Sequence, residues 1–246
     1  MSLEISPEFS TAGLAVALPL AAYLALADPW AGRRLYARLE RRRDTDDRAL
    51  TRFYRTLLAI WWPLAALAVA AVLLSPGVAA ADVGFALPDS PGAALATFGI
   101  AVLFTGSVLL GGRNMRRLAA DDRNIPGLAT IAAMLPRTPA ERRLAVAVSL
   151  TDGICANVVY RGLLIALGTD VLGIGVYPAA AVAVAVHALA GLYQGAAQIP
   201  LFALWGAVVT VAYVATGSLL LPILMNVVTV GRDLLAVPPA LHPERA

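Results

Sequence analysis

Between Ser149 and Leu164 the chain reads SLTDGICANVVYRGLL, an apolar run with Asp152, Asn157 and Arg161 set inside it. Hydrocarbon offers such groups no partner, so within a membrane span they must face a protein interior or a water-filled cavity. The stretch is therefore the first place to look for a functional site, and the rest of the chain must build a bundle around it. Composition agrees: 59% hydrophobic and 14% charged residues with a mean hydropathy of +0.75 give 246 residues more apolar surface than a soluble core of that size buries. The expectation is an all-α integral membrane protein. Its one cysteine, Cys155, excludes a disulfide within the chain and a CxxC metal site, and reads as a small buried hydrophobe.

The first apolar stretch, Thr11 to Ala27, is just long enough to cross a bilayer. Ala25-Leu26-Ala27 resembles a signal-peptidase site, but Glu4 and Glu8 precede the span and arginines follow it, the reverse of a secretory signal. The reading is an uncleaved helix with its N-terminus outside. Arg33, Arg34, Arg38, Arg41, Arg42, Arg43 and Arg48 come next, a cluster that the positive-inside rule places in the cytoplasm as a solvated orientation signal, near anionic headgroups. All the basic residues are arginine, and their clustering marks topology rather than a nucleic-acid footprint.

A second span covers Leu57 to Leu74, with Trp61, Trp62 and Pro63 in its first half, and a third covers Ala93 to Leu110. Between them, Ser75 to Pro91 carries Asp82 and Asp89 and no arginine, so it reads as external. Arg113, Arg116, Arg117 and Arg123 return the chain inside, and Arg137, Arg142 and Arg143 mark the entrance to the central helix. The patch Ile125 to Leu135 is too short to cross and is expected at the interface or dipping part-way in. Three more spans follow the central one, at Val171 to Leu192, Gln198 to Thr216 and Leu219 to Val237, which leaves Arg232 and Arg245 inside. The whole reads as one membrane domain over residues 1–246 with about seven spans. Residues 1–142 hold N-terminal spans and loops, 143–237 a helical core and 238–246 a short tail.

Three segments of that core share a frame with a known family: GICANVVYRGLL at Gly153 to Leu164, HALAGLYQG at His187 to Gly195 and GSLLLPILMN at Gly217 to Asn226. They resemble the CPBP family of CAAX-protease and bacteriocin-processing intramembrane metalloproteases, and the resemblance covers about the last hundred residues. It implies that family's helical membrane fold, a zinc cofactor, and cleavage of a membrane-embedded or lipidated peptide. The family's two adjacent glutamates fall at Ala156 and Asn157, while its tyrosine and arginine remain as Tyr160 and Arg161. Its first histidine falls at Gly191, its second at Asn226, and its final asparagine or aspartate at Val230.

Zinc hydrolysis needs about three nitrogen or carboxylate ligands, an open position for water and a carboxylate to take that water's proton. Alanine and glycine offer no ligand, and an asparagine amide is a poor ligand and no base. A metal at the inherited positions is not expected, nor is another cofactor. A displaced site from Asp152, His187 and Asn226 meets a geometric objection. The fourth and fifth spans run antiparallel, so moving each ligand back one turn separates Asp152 from His187 by about 11 Å along the axis.

The plainer readings are a neutral core imidazole at His187 bonded to a backbone carbonyl, and interhelical hydrogen bonds at Asn157 and Asn226. Asp152 is expected to be protonated or paired, and Arg161 to snorkel or to find an internal partner. Gly153 and Ala156, at three-residue spacing, permit a close helix crossing. Together these imply a catalytically degenerate member of the CPBP fold, acting as a membrane binding or regulatory module in a bacterial-type plasma membrane. Its partners would be lipids and a membrane-embedded or lipidated peptide, with no nucleic acid. Two alternatives stay open: a metalloprotease with ligands rearranged onto Asp152 and His187, and a small transporter or accessory subunit of a membrane complex.

Overall fold

The computed structural model describes residues 5–87, 90–120 and 129–236. Asp89, Arg123, Ile125, Val237 and Arg245 lie outside them, so the structure leaves open the external loop's second aspartate, part of the 125–135 patch and the tail. The architecture is all-α. Among the described residues the only β contact is a single antiparallel bridge between Glu8 and Gly77.

Seven helices follow in order among the described residues: α1 (Thr11–Arg42), α2 (Ala49–Leu73), α3 (Pro91–Ala120), α4 (Pro139–Leu172), α5 (Val176–Ala190), α6 (Ile199–Thr216) and α7 (Leu220–Leu235). Six helices among the described residues are long and apolar enough to cross a membrane, one fewer than the seven spans expected. The difference is α7, whose 16 described residues rise about 24 Å, short of a hydrocarbon core of about 30 Å. The chain is an integral membrane protein.

The central helix is longer than its apolar run. Thr138 Oγ1 accepts from Glu141 N at 3.2 Å and Glu141 Oε2 accepts from Thr138 N at 3.1 Å, a reciprocal cap that starts α4 with Pro139 in its first turn. Gly173, at φ +61°, ends it in a left-handed turn. Of the most apolar window of α4, 72% is buried, against 6% for α3, so α4 is the axis and α3 the outlying helix. Close crossings hold the bundle, as expected where lipid removes the hydrophobic drive between helices. A Cβ at Gly153 would lie 2.2 Å from Val227 Cγ2 of α7, and one at Gly13 would lie 1.9 Å from Ser75 Oγ beyond α2.

The two ends of the bundle differ in charge. At one end Phe9 N donates to Asp170 Oδ2 (3.1 Å) and Ser10 Oγ donates to Leu74 O (2.7 Å), with no arginine involved. At the other, Arg43 donates to both carboxylate oxygens of Glu141 at 3.0 and 3.3 Å, and Arg142 and Arg116 donate to Leu235 O and Ala236 O at the C-terminal end of α7. These bonds bring the ends of α1, α3, α4 and α7 together.

One expectation changes here. Arg43 is not a solvated charge: it is buried, and it also donates to Leu135 O at 3.0 Å. The described part of the 125–135 patch is held against the protein. Its 3₁₀ turn, Ala129–Met134, is pinned by Tyr36 Oη donating to Thr130 O (2.7 Å) and Tyr54 Oη donating to Met134 O (2.5 Å). Those bonds, with the Arg43 contact, satisfy its carbonyls from α1 and α2 and bury Ala133, Met134 and Leu135.

Candidate functional site

The winding of α4 departs from α-helical over the residues that sequence singles out. Asp152–Ala156 and Val158–Leu163 are π-helical turns, the kind of local widening frequently found at functional sites. Another, Tyr23–Ala27, interrupts α1 where that helix passes α5, so the irregular turns of both helices flank one region of the interior.

Arg161 is 1% exposed, which rules out snorkelling. Its Nε donates to Thr210 Oγ1 (3.4 Å) and its Nη2 to Gly206 O (3.3 Å), both on α6, while Nη1 has no partner among the described residues. Asp152 lies within electrostatic reach of this guanidinium, but no hydrogen bond joins them among the described residues. His187 is buried beside it, and a Cβ added at Gly206 would lie 2.7 Å from His187 Cδ2.

The expected bond from His187 to a backbone carbonyl is absent among the described residues, where neither ring nitrogen has a partner. The imidazole packs instead against aromatic rings, edge-on to Tyr160 with centroids 4.9 Å apart and tilted on Phe202 at 6.2 Å. Asn157 also departs from expectation. Its Nδ2 donates to Gly153 O at 2.7 Å within its own helix, a local bond open to short polar side chains, and Oδ1 has no partner among the described residues. Asn226 does bond between helices, accepting from Trp205 Nε1 of α6 at 3.0 Å.

The structure thus sets the rings of Tyr160 and His187 against each other beside Arg161, which also lies within electrostatic reach of Asp152, while Asn226 is engaged with Trp205. Tyr160 Oη is another buried atom without a partner among the described residues, and Asp28 and Tyr23 of α1 act on it electrostatically together with Asp152 and Arg161. Thr210, Gly206, Phe202 and Asp28 have no motif to announce them. Only Asp28, an acidic residue directly after an apolar span, carries a signal that sequence reading could have used.

The remaining motif positions are filled by packing. Ala156 and Cys155 are buried in the main apolar cluster, and Val230 packs against a second cluster that includes Tyr54 and Leu50. A Cβ at Gly191 would lie 2.6 Å from Phe202 Cγ, so the α6 aromatic occupies the space a side chain there would need. Among the described residues no three His, Cys, Asp or Glu side chains stand close enough to share an ion. This donor set does not fit zinc.

Fold and site together define an all-α membrane protein with a polar cluster on its central helix. Residues 139–230, from the first turn of α4 into α7, match the family model for type II CAAX prenyl endopeptidase Rce1-like proteins, which bears out the resemblance to the CAAX-protease family over that segment. No curated protein and no solved structure matches the chain.

Proposed function

We propose that this chain is a catalytically degenerate CAAX-protease-like bundle that binds a membrane-embedded or lipidated peptide as a regulatory module, without hydrolysing it. The observation that carries this reading is Phe202 standing in the side-chain space of Gly191, at the position the resemblance gives to a metal-binding histidine. Ala156, Asn157 and Asn226 supply no carboxylate or imidazole at the other positions, so no hydrolytic step is derived through a metal. What remains suits recognition. Among the described residues Arg161 Nη1, Tyr160 Oη and both His187 ring nitrogens are buried hydrogen-bonding groups without partners, able to hold the polar backbone of a segment that hydrocarbon cannot satisfy. The arginine-rich end would face the cytoplasm of a bacterial-type plasma membrane, with the N-terminus outside.

The test is saturable photo-crosslinking of a labelled lipidated peptide to the full chain in vesicles. The expected result is saturation, with Arg161→Gln weakening affinity about tenfold or more, as for loss of a hydrogen bond to a charged group. Absence of saturable binding for lipidated and unlipidated membrane peptides alike would overturn the proposal.

A further inference from the structure

The cytoplasm-side extension of α1 carries a feature that the peptide-binding reading does not use. At 32 residues α1 is about 48 Å long, against a hydrocarbon core of about 30 Å, so its C-terminal part projects out of the apolar layer. Within Asp28–Arg42, Trp30, Arg34, Arg38 and Arg41 follow at spacings of four, four and three, which places them on one helix face, with Arg42 beside them. The opposite face is the one that packs, through Tyr36 and Leu39, with Arg43 just past the last turn. All four arginines of the stripe are exposed, and none makes an ion pair among the described residues. Glu40 falls off the stripe, and Asp46 is engaged by Arg52. Trp30, 55% exposed, stands one turn nearer the apolar part of the helix, where an indole anchors a helix at the membrane boundary.

We propose that this face is a docking surface for anionic phospholipid, with the indole at the acyl boundary and the Arg34, Arg38, Arg41 and Arg42 guanidiniums taking headgroup phosphates. Guanidinium forks match phosphate oxygens, and each arginine near an anionic surface adds attraction that salt screens within a Debye length. Positive-inside topology alone needs only an excess of arginine or lysine; a stripe aligned with an aromatic anchor and facing away from the protein adds a binding geometry. The inference is independent of peptide binding.

The full chain in neutral detergent is titrated with dioleoylphosphatidylglycerol, dioleoylphosphatidylcholine and glycerol phosphate in parallel, and bound molecules are counted by native mass spectrometry. The expected result is retention of the anionic lipid about tenfold more tightly than the zwitterionic one, lost at high salt and lost in Arg34→Gln/Arg38→Gln/Arg41→Gln/Arg42→Gln. Arg38→Glu alone, at an exposed position, lowers the preference several-fold and serves if the fourfold variant does not fold. Equal retention of both lipids, a preference unchanged in the variants, or glycerol phosphate binding as tightly as the lipid would overturn the proposal.

Discussion

Phe202 and Gly191 occupy each other's space: with only a hydrogen at position 191, the α6 ring comes to where a Cβ would lie 2.6 Å from Phe202 Cγ. On the proposed reading, the missing ligand at 191 and the ring filling its space are one structural feature. Gly191→His is expected to destabilise the bundle by about 1–3 kcal/mol, the range for overpacking, and Gly191→His/Phe202→Ala to recover part of that loss. Thermal unfolding in detergent distinguishes the two, and equal midpoints for both variants would show that the ring does not limit the site.

The buried Arg43–Glu141 pair joins the end of α1 to the first turn of α4, and Glu141 Oε2 also accepts from the backbone nitrogens of Arg137 and Thr138. Glu141→Ala would strand the guanidinium and unmake the helix cap. A loss of about 3–5 kcal/mol is expected, the cost of breaking one side of a buried pair. Chemical denaturation measures it, and a change under about 1 kcal/mol would mean the pair is solvated.

Glycines separate into those that permit contact and those that do not. Gly153→Ala is expected to cost about 1–3 kcal/mol, since its Cβ would meet Val227 and the backbone carbonyl of Ile223. Gly99→Ala and Gly106→Ala meet nothing within 4 Å and should stabilise α3 by about 0.5–1 kcal/mol. The same denaturation series checks both signs.

The apolar stretches were legible because hydrocarbon imposes length and composition, and the frame residues Tyr160, Arg161 and Gly153 led directly to the polar region. Helix ends were less visible. Thr11 to Ala27 understates α1 because its amphipathic extension is held by Tyr36 and Leu39 packing rather than by hydropathy. Ser149 to Leu164 understates α4, although the Thr138, Pro139 and Glu141 cap signature was present in the letters. Partners were hidden for a different reason. That Arg161 reaches Thr210 and Gly206, and that Phe202 closes Gly191, depends on how α6 docks, and one sequence carries no record of that docking.

The most direct test of the central claim is zinc content measured with peptidase activity on the purified full chain. The account predicts far less than one zinc per chain and no cleavage of lipidated or membrane peptides that a chelator suppresses. One tightly held zinc per chain, with chelator-sensitive cleavage lost in Asp152→Ala or His187→Ala, would contradict it.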